Sequence, residues 1–420
     1  MKKVQKKYSF LKEVLSEITP DYSIFEEVNS FLANLNSNIK KLKIKAKASA
    51  GGSIAKGNFL SHDHDIDIFV RFDKKYDTEK LSDYLEKILK GMKAVRLHGS
   101  RDYFRIYGKF NYEIVPVLDI SKPSEAKNVT DMSPLHVKWV EKMLKKNKEL
   151  NDEVRLTKQF CKAQKVYGAE SYIKGFSGHV IDIITSYYGS FLNLAKNAAK
   201  WKEGQVIDYY NAHKGQAHFR INQSKLGPLI VVDPVLPERN ASAALDAEKF
   251  EMFVKACKDF IKKPSKKFFV RKETTPELLR KANKSKKVKI MCFNAVGKEG
   301  KEDITGAKLL KALEFIVQNA EKEGFVINDF GWTFDRKKSA MFYFIMKNSS
   351  LPKEKIVEGP PIREKLHAPR FKKMHKKVFS KSGKLYAKEK RKITDFSDFV
   401  INIAKKEFFN DKLSTIKPAK

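Results

Sequence analysis

Gly51-Gly52-Ser53-Ile54-Ala55-Lys56-Gly57, followed eight residues on by Asp65-Ile66-Asp67, decides how the rest of the chain reads. Past Asp67 the residues Ile68, Val70 and Phe72 continue the alternation begun by Ile66, so the segment reads as a strand with successive side chains on opposite faces. Asp65 and Asp67 then share one face, about 7 Å apart by strand rise. Two ionised carboxylates that close repel each other unless a cation lies between them. The Gly-Gly-Ser turn upstream can aim successive backbone N–H groups at an anion, because glycine tolerates the backbone angles a phosphate nest needs. An isolated Asp-x-Asp pair or glycine turn is common by chance. Joined on one strand, they suggest nucleotide chemistry, with a third carboxylate expected on a neighbouring strand because Mg²⁺ takes several oxygen ligands.

That carboxylate is Glu113. Tyr103 to Tyr107 and Phe110 to Leu118 read as paired strands joined at Gly108-Lys109, and Glu113 lies on the second of them among Tyr112, Ile114 and Val115. A glutamate inside an apolar strand needs a partner, a metal or an edge position facing solvent, since burying its charge alone is costly.

The 420 residues have room for about three domains. Lys and Arg number 85 against 50 Asp and Glu, a formal charge of +35, which points to a polyanionic partner, nucleic acid first. Heat adaptation or solubility can also enrich lysine. An anionic membrane surface could also attract such a charge, but no apolar run is long enough to span a bilayer and no signal peptide opens the chain, so no membrane partner is expected, and three isolated thiols without a disulfide framework point to an intracellular location. Cys161, Cys257 and Cys292 lack metal-ligand spacing; Cys257, in the series Phe250, Phe253, Val254, Ile261, reads as a small core residue.

Two helices split by Thr19-Pro20-Asp21 fill residues 1 to about 45, and Glu79 to Lys90 is an amphipathic helix. Residues 151 to 260 read as helices, with Leu156 and Phe160 one turn apart and Lys158 on the other face, where a lysine taken by itself is usually solvated. A basic linker follows at Lys262 to Lys267. Then come a strand (Val288 to Phe293), a helix (Ala307 to Lys322) and two strands (Val326 to Phe334, Ala340 to Met346), an order that fits an RNA-recognition-motif-like α+β layer with Phe342 and Phe344 in its core. Residues 361–420 hold 18 Lys and Arg against 6 Asp and Glu, net +12 where the chain average predicts 5. Interleaved Phe371, Phe379, Tyr386, Phe396, Phe399 and Phe408 make this tail a folded basic module for a phosphate backbone rather than a disordered one.

Taken in order, Gly52-Ser53-x-x-Lys56-Gly57, Asp65-x-Asp67, Glu113-Ile-Val-Pro116, Ser133-Pro-Leu-His136, Val154-Arg-Leu-Thr-Lys158, Val166-Tyr167-Gly-Ala-Glu170, Gly175-Phe-Ser-Gly178, Tyr188-Gly-Ser-Phe191, Asp233-Pro-Val and Arg239-Asn240 cover about residues 45 to 260, with Glu358-Gly-Pro-Pro361 a weaker match. In these blocks the chain resembles the archaeal-type, class I CCA-adding enzymes, tRNA nucleotidyltransferases of the polymerase-beta-like superfamily. Two departures stand out: Glu113 occupies a position where the family usually has aspartate, and the segment around Tyr103 lacks the family's His-Pro-Tyr pattern.

The resemblance implies an α+β multidomain fold. Residues 1–150 would form a nucleotidyltransferase domain of mixed sheet with helices, 151–262 a helical nucleotide-binding domain, and 263–420 an RRM-like α+β body with a basic tRNA-binding tail. It implies addition of C, C and A to the tRNA 3′ end from CTP and ATP in the cytoplasm, with Asp65, Asp67 and Glu113 holding two Mg²⁺ ions. Gly52, Ser53, Lys56, Ser133, His136, Lys158, Tyr167 and Arg239 would bind the nucleotide, Arg239 meeting the base edge or RNA phosphates. Whether two copies form a homodimer stays open. The rival readings are another RNA-tailing enzyme, such as a poly(A) or oligoadenylate polymerase, and an RNA-binding protein without activity.

Overall fold

The computed structural model describes residues 7–63 and 65–419. It divides into two compact units, one running to Lys272 and the other from Glu273.

In the first unit, helices α1 (Phe10–Ile18) and α2 (Ile24–Lys41) lead into strand β1 (Ala46–Ala50), the short helix α3 (Gly52–Lys56) and strand β2 (Asp65–Phe72). The first six residues of the expected helical stretch lie outside the described residues. After α4 (Leu81–Ile88), β3 (Val95–Leu97), β4 (Tyr103–Ile106) and β5 (Asn111–Leu118) complete a mixed five-stranded sheet of order β1-β2-β5-β4-β3, in which β2 and β5 run parallel and the other neighbours antiparallel. The alternation seen in sequence holds. Ile66, Ile68, Val70 and Phe72 are fully buried against Val28, Leu35 and Ile39 of α2 and Leu81, Leu85 and Ile88 of α4. That leaves Asp65, Asp67 and Phe69 on the opposite face.

The rest of this unit is helical: α5 (Ser133–Lys146), α6 (Leu150–Ala163), α7 (Gly178–Tyr188), α8 (Phe191–Ala198), a parallel pair β6 (Gln205–Ile207) and β7 (Leu229–Val231) flanking the single turn α9 (Ala217–Arg220), and α10 (Ala247–Lys262). Its core gathers around Phe160, whose ring lies within 6.2 Å of those of Phe191, Phe253, Phe260, Phe268 and Phe269. Cys161 and Cys257 sit in this core, and burial pushes both thiols up, as expected of small apolar residues.

The second unit opens with α11 (Pro276–Ala282). Strand β8 (Lys289–Gly297), α12 (Glu302–Glu323), β9 (Ile327–Phe334) and β10 (Ser339–Met346) follow in the expected order. Phe342 and Phe344 are fully buried there. Next come β11 (Glu354–Pro361), α13 (His367–Met374), β12 (Val378–Lys381), β13 (Lys384–Lys390), α14 (Phe396–Ile403) and β14 (Leu413–Pro418). The last strand returns to pair with β8, giving an antiparallel sheet β14-β8-β10-β9, while β11-β13-β12 form a separate three-stranded sheet. The basic tail is folded, and Phe371, Phe396 and Phe399 are its buried anchors. Among the described residues no helix is long and apolar enough to cross a membrane.

Candidate active site

Parallel pairing of β2 with β5 sets Asp67 directly opposite Glu113 and Asp65 opposite Asn111. The Asp67 backbone carbonyl accepts a 2.7 Å bond from Gly51 N–H, which brings the glycine turn back over the carboxylate. Gly52 has φ +50, and a methyl group added there would fall 1.6 Å from Asp67 Oδ2. Only glycine leaves room for this approach. The turn winds at once into α3 and stops at Gly57, φ +70, so Lys56 leaves the end of one helical turn.

A cavity of about 320 Å³ opens here, lined among others by Gly52, Lys56, Asp67, Glu113, Ser133 and His136, six of the eleven residues selected from the sequence. Asp65 is exposed and accepts a 3.2 Å bond from Asn111 Nδ2. Burial, then the charge of Glu113, pushes the Asp67 carboxyl up to about 7, with Lys56 working against them. Glu113 Oε2 is held by Arg105 of β4 at 2.9 Å. The longer side chain that departs from the family's aspartate reaches across to its neighbouring strand.

Lys158 departs from what a lone lysine on a helix usually does. Its side chain is not on a solvated face: α6 is buried nearly all round, Lys158 is 3% exposed, and its ammonium donates to the backbone carbonyl of Asn58 at 3.0 Å and to Asn58 Oδ1 at 2.8 Å. Burial, assisted by Lys56 and opposed by Asp182, draws it down to about 8. Asn58 Nδ2 in turn donates to Asp182 Oδ1 at 3.0 Å, and Lys56 Nζ meets Asp182 Oδ2 at 2.6 Å. Burial alone would raise Asp182, but Lys56 and Lys158 hold it below the ordinary carboxylate value. This buried chain of Lys158, Asn58, Asp182 and Lys56 ties α6 and α7 to the glycine turn. Replacing Asp182 by Ala leaves two cations with one buried anion fewer, so a loss of about 3–5 kcal/mol is expected in chemical denaturation.

Tyr167 lies half-buried with Lys162 Nζ 5.0 Å from its ring centre. Ser53 sits on α3 behind Gly52. Arg239 is paired through one guanidinium nitrogen with Asp233 Oδ2 at 2.9 Å. Asp233, fully buried, also faces His136 and His179, whose ring centres lie 4.0 Å apart with the planes tilted by 31°. Burial would raise Asp233, yet the two rings hold it well below the usual carboxylate range, while burial pushes His179 down to about 4 and leaves it neutral at pH 7.

Reading the sequence missed Asp182 and His179. Asp182 carried a usable signal, a charge inside the apolar run Val180-Ile181-Asp182-Ile183-Ile184, the same argument that singled out Glu113. His179 carried none.

Three family models match along the chain: a nucleotidyltransferase domain over 32–136, the second domain of tRNA nucleotidyltransferases over 152–270, and the C-terminal domain of CCA-adding enzymes over 285–411. The CCA-adding enzyme of Nanoarchaeum equitans (strain Kin4-M) is 33% identical over 384 residues, spanning 90% of this chain and 92% of its own. That of Methanocaldococcus jannaschii is 32% identical over 417 residues, 94% of this chain and 90% of the relative. A solved structure of a cytoplasmic RNA terminal U-transferase superposes with a TM-score of 0.52 at 15% identity over 64% of this chain and 100% of that one, a likeness of fold alone.

Proposed function

This chain belongs to the CCA-adding enzymes, and on that footing we propose which of its side chains do what. It is a tRNA nucleotidyltransferase that adds C, C and A to the tRNA 3′ end without a template, taking CTP and ATP. The observation that carries the assignment is the opposition of Asp67 and Glu113 across β2 and β5, with the Asp67 carboxylate directly under Gly52.

We assign Asp65, Asp67 and Glu113 to a divalent cation, taken to be Mg²⁺, which when bound lowers the pKa of the attacking 3′-hydroxyl and offsets triphosphate charge. The donor set fits that ion: hard carboxylate oxygens suit it, and a buried carboxyl pushed up by a neighbouring acid is the group a cation stabilises. Glu113 would exchange Arg105 for the ion at little cost, because both side chains are about 30% exposed.

Gly52 and Ser53 would present the α3 backbone to the triphosphate and Lys56 would offset its charge. Ser133, His136 and Tyr167 would contact the sugar and phosphates, and Arg239, half-exposed on Asp233, would offer its planar fork to the base or the RNA. Lys158, buried on Asn58, would hold the Lys56 ammonium in place from behind. In this scheme residues 1–150 carry catalysis, 151–262 the nucleotide and 263–420 the tRNA body, in the cytoplasm.

Transcripts lacking one, two or three terminal nucleotides, incubated with CTP and ATP singly and together, test the reading. The expected product stops at CCA; an open-ended ladder of one nucleotide would instead favour a tailing polymerase of the kind whose fold it shares. With net +12 in residues 361–420, tRNA affinity is expected to fall about 10³-fold or more between about 50 and 200 mM salt, as for a protein meeting six or more phosphates. Filter binding across that range checks it, and a flat response would remove the tail from the interface.

A further inference from the structure

We propose that His136, His179 and Asp233 form a second cation site, for a borderline-soft divalent ion of the zinc class, separate from the carboxylates of β2 and β5. The three come from α5, α7 and the loop after β7, and one ligand atom of each lies within 4.8 Å of the others. His136 Nε2 is 3.2 Å and His179 Nε2 is 3.4 Å from Asp233 Oδ2. Ligands about 2.05 Å from a tetrahedral ion lie ~3.3 Å apart, so both edges have the length such an ion sets.

Both distances are charge contacts rather than well-aligned hydrogen bonds. Among the described residues, His136 Nε2 and both ring nitrogens of His179 are buried and make no well-aligned hydrogen bond, although both rings face the Asp233 carboxylate. Leaving three such atoms unsatisfied is costly, and an ion satisfies one on each ring at once. Asp233 is already braced, since its Oδ1 accepts from Val235 N–H at 2.9 Å and Leu236 N–H at 3.4 Å. Its Oδ2 is left to Arg239, whose side chain is 45% exposed and so competes weakly. Two imidazoles and one carboxylate select zinc-class ions over Mg²⁺, which prefers six oxygens. Both histidines line the same cavity as Asp67 and Glu113, so the fourth position would open into it, and a bound nucleotide would meet the ion in place of the His136 ring.

The full-length, untagged protein stripped with EDTA and titrated with Co²⁺ tests this. The visible bands of tetrahedral Co²⁺ are expected to saturate at one equivalent. His179→Phe and His179→Gln should each weaken binding at least about 10-fold, with circular dichroism confirming the fold. Asp67→Asn should leave the bands intact, since it touches only the other site. Absence of the bands, their persistence in both His179 variants, or their loss in Asp67→Asn would overturn the proposal. Neither tRNA nor nucleotide enters this experiment, so it stands or falls apart from the transferase reading.

Discussion

Asp67→Asn is expected to lower nucleotide addition by at least about 10³-fold, the several kcal/mol of charge stabilisation that a cation held by this carboxylate contributes. The asparagine keeps the shape beneath Gly52, so neither the turn nor the sheet needs to move. tRNA affinity should stay within about twofold, because the basic charge that attracts the RNA is concentrated elsewhere. The same substitution should stabilise the protein. With EDTA present, the Asp67 carboxyl sits at about 7 in the folded chain against 3.8 unfolded. A group raised in this way contributes its full stabilisation below the unfolded value and loses it as pH rises through the folded one. Wild type therefore bears the buried charge at pH 8 and sheds it towards pH 4. The variant should melt above wild type at pH 8, with the gap closing as pH falls. A variant that lost activity and stability together at pH 8 would mean that Asp67 is structural, and the cation assignment would fail.

The sheet was legible because β2 and β5 are buried on one face and hold chemistry on the other, so apolar alternation located both strands and the two acids opposite each other. What sequence could not show is where a long side chain ends. Glu113 belongs to the strand that the pattern indicated, yet its carboxylate is turned to Arg105, a residue with no signal of its own. The surroundings of Lys158 were hidden for a related reason. A charge between Leu156 and Phe160 looks solvated when one helix is considered alone, but α6 is enclosed by neighbours from distant parts of the chain, and Asn58 receives the ammonium from 100 residues away. Strand β14 was missed because its partner β8 lies more than a hundred residues upstream and its own six residues have little alternation. Local periodicity reports one face of one element; long-range closure decides the other face.

Gly52→Ala should disable the enzyme almost as fully as loss of the carboxylate itself, by at least about 10²-fold, though it removes no functional group. The added carbon would sit 1.6 Å from Asp67 Oδ2 and 2.6 Å from its Cγ, far inside contact distance, so either the carboxylate rotates away or the turn lifts off the strand. Both outcomes separate the phosphate-facing backbone from the acid. A second cost arises from the backbone, because φ +50 is a left-handed conformation that an L-residue adopts at about 1–2 kcal/mol. The two effects can be told apart at Gly189, the cap of α7, which has φ +76 and open space around the same added carbon. Gly189→Ala should lose that 1–2 kcal/mol of stability and retain its activity within a few-fold, whereas Gly52→Ala should lose both. If Gly52→Ala instead behaves like Gly189→Ala, unfolding earlier in denaturant while still extending tRNA at a near wild-type rate, then the close approach of turn and carboxylate is incidental. Phosphate binding would then have to be sought away from the glycine turn.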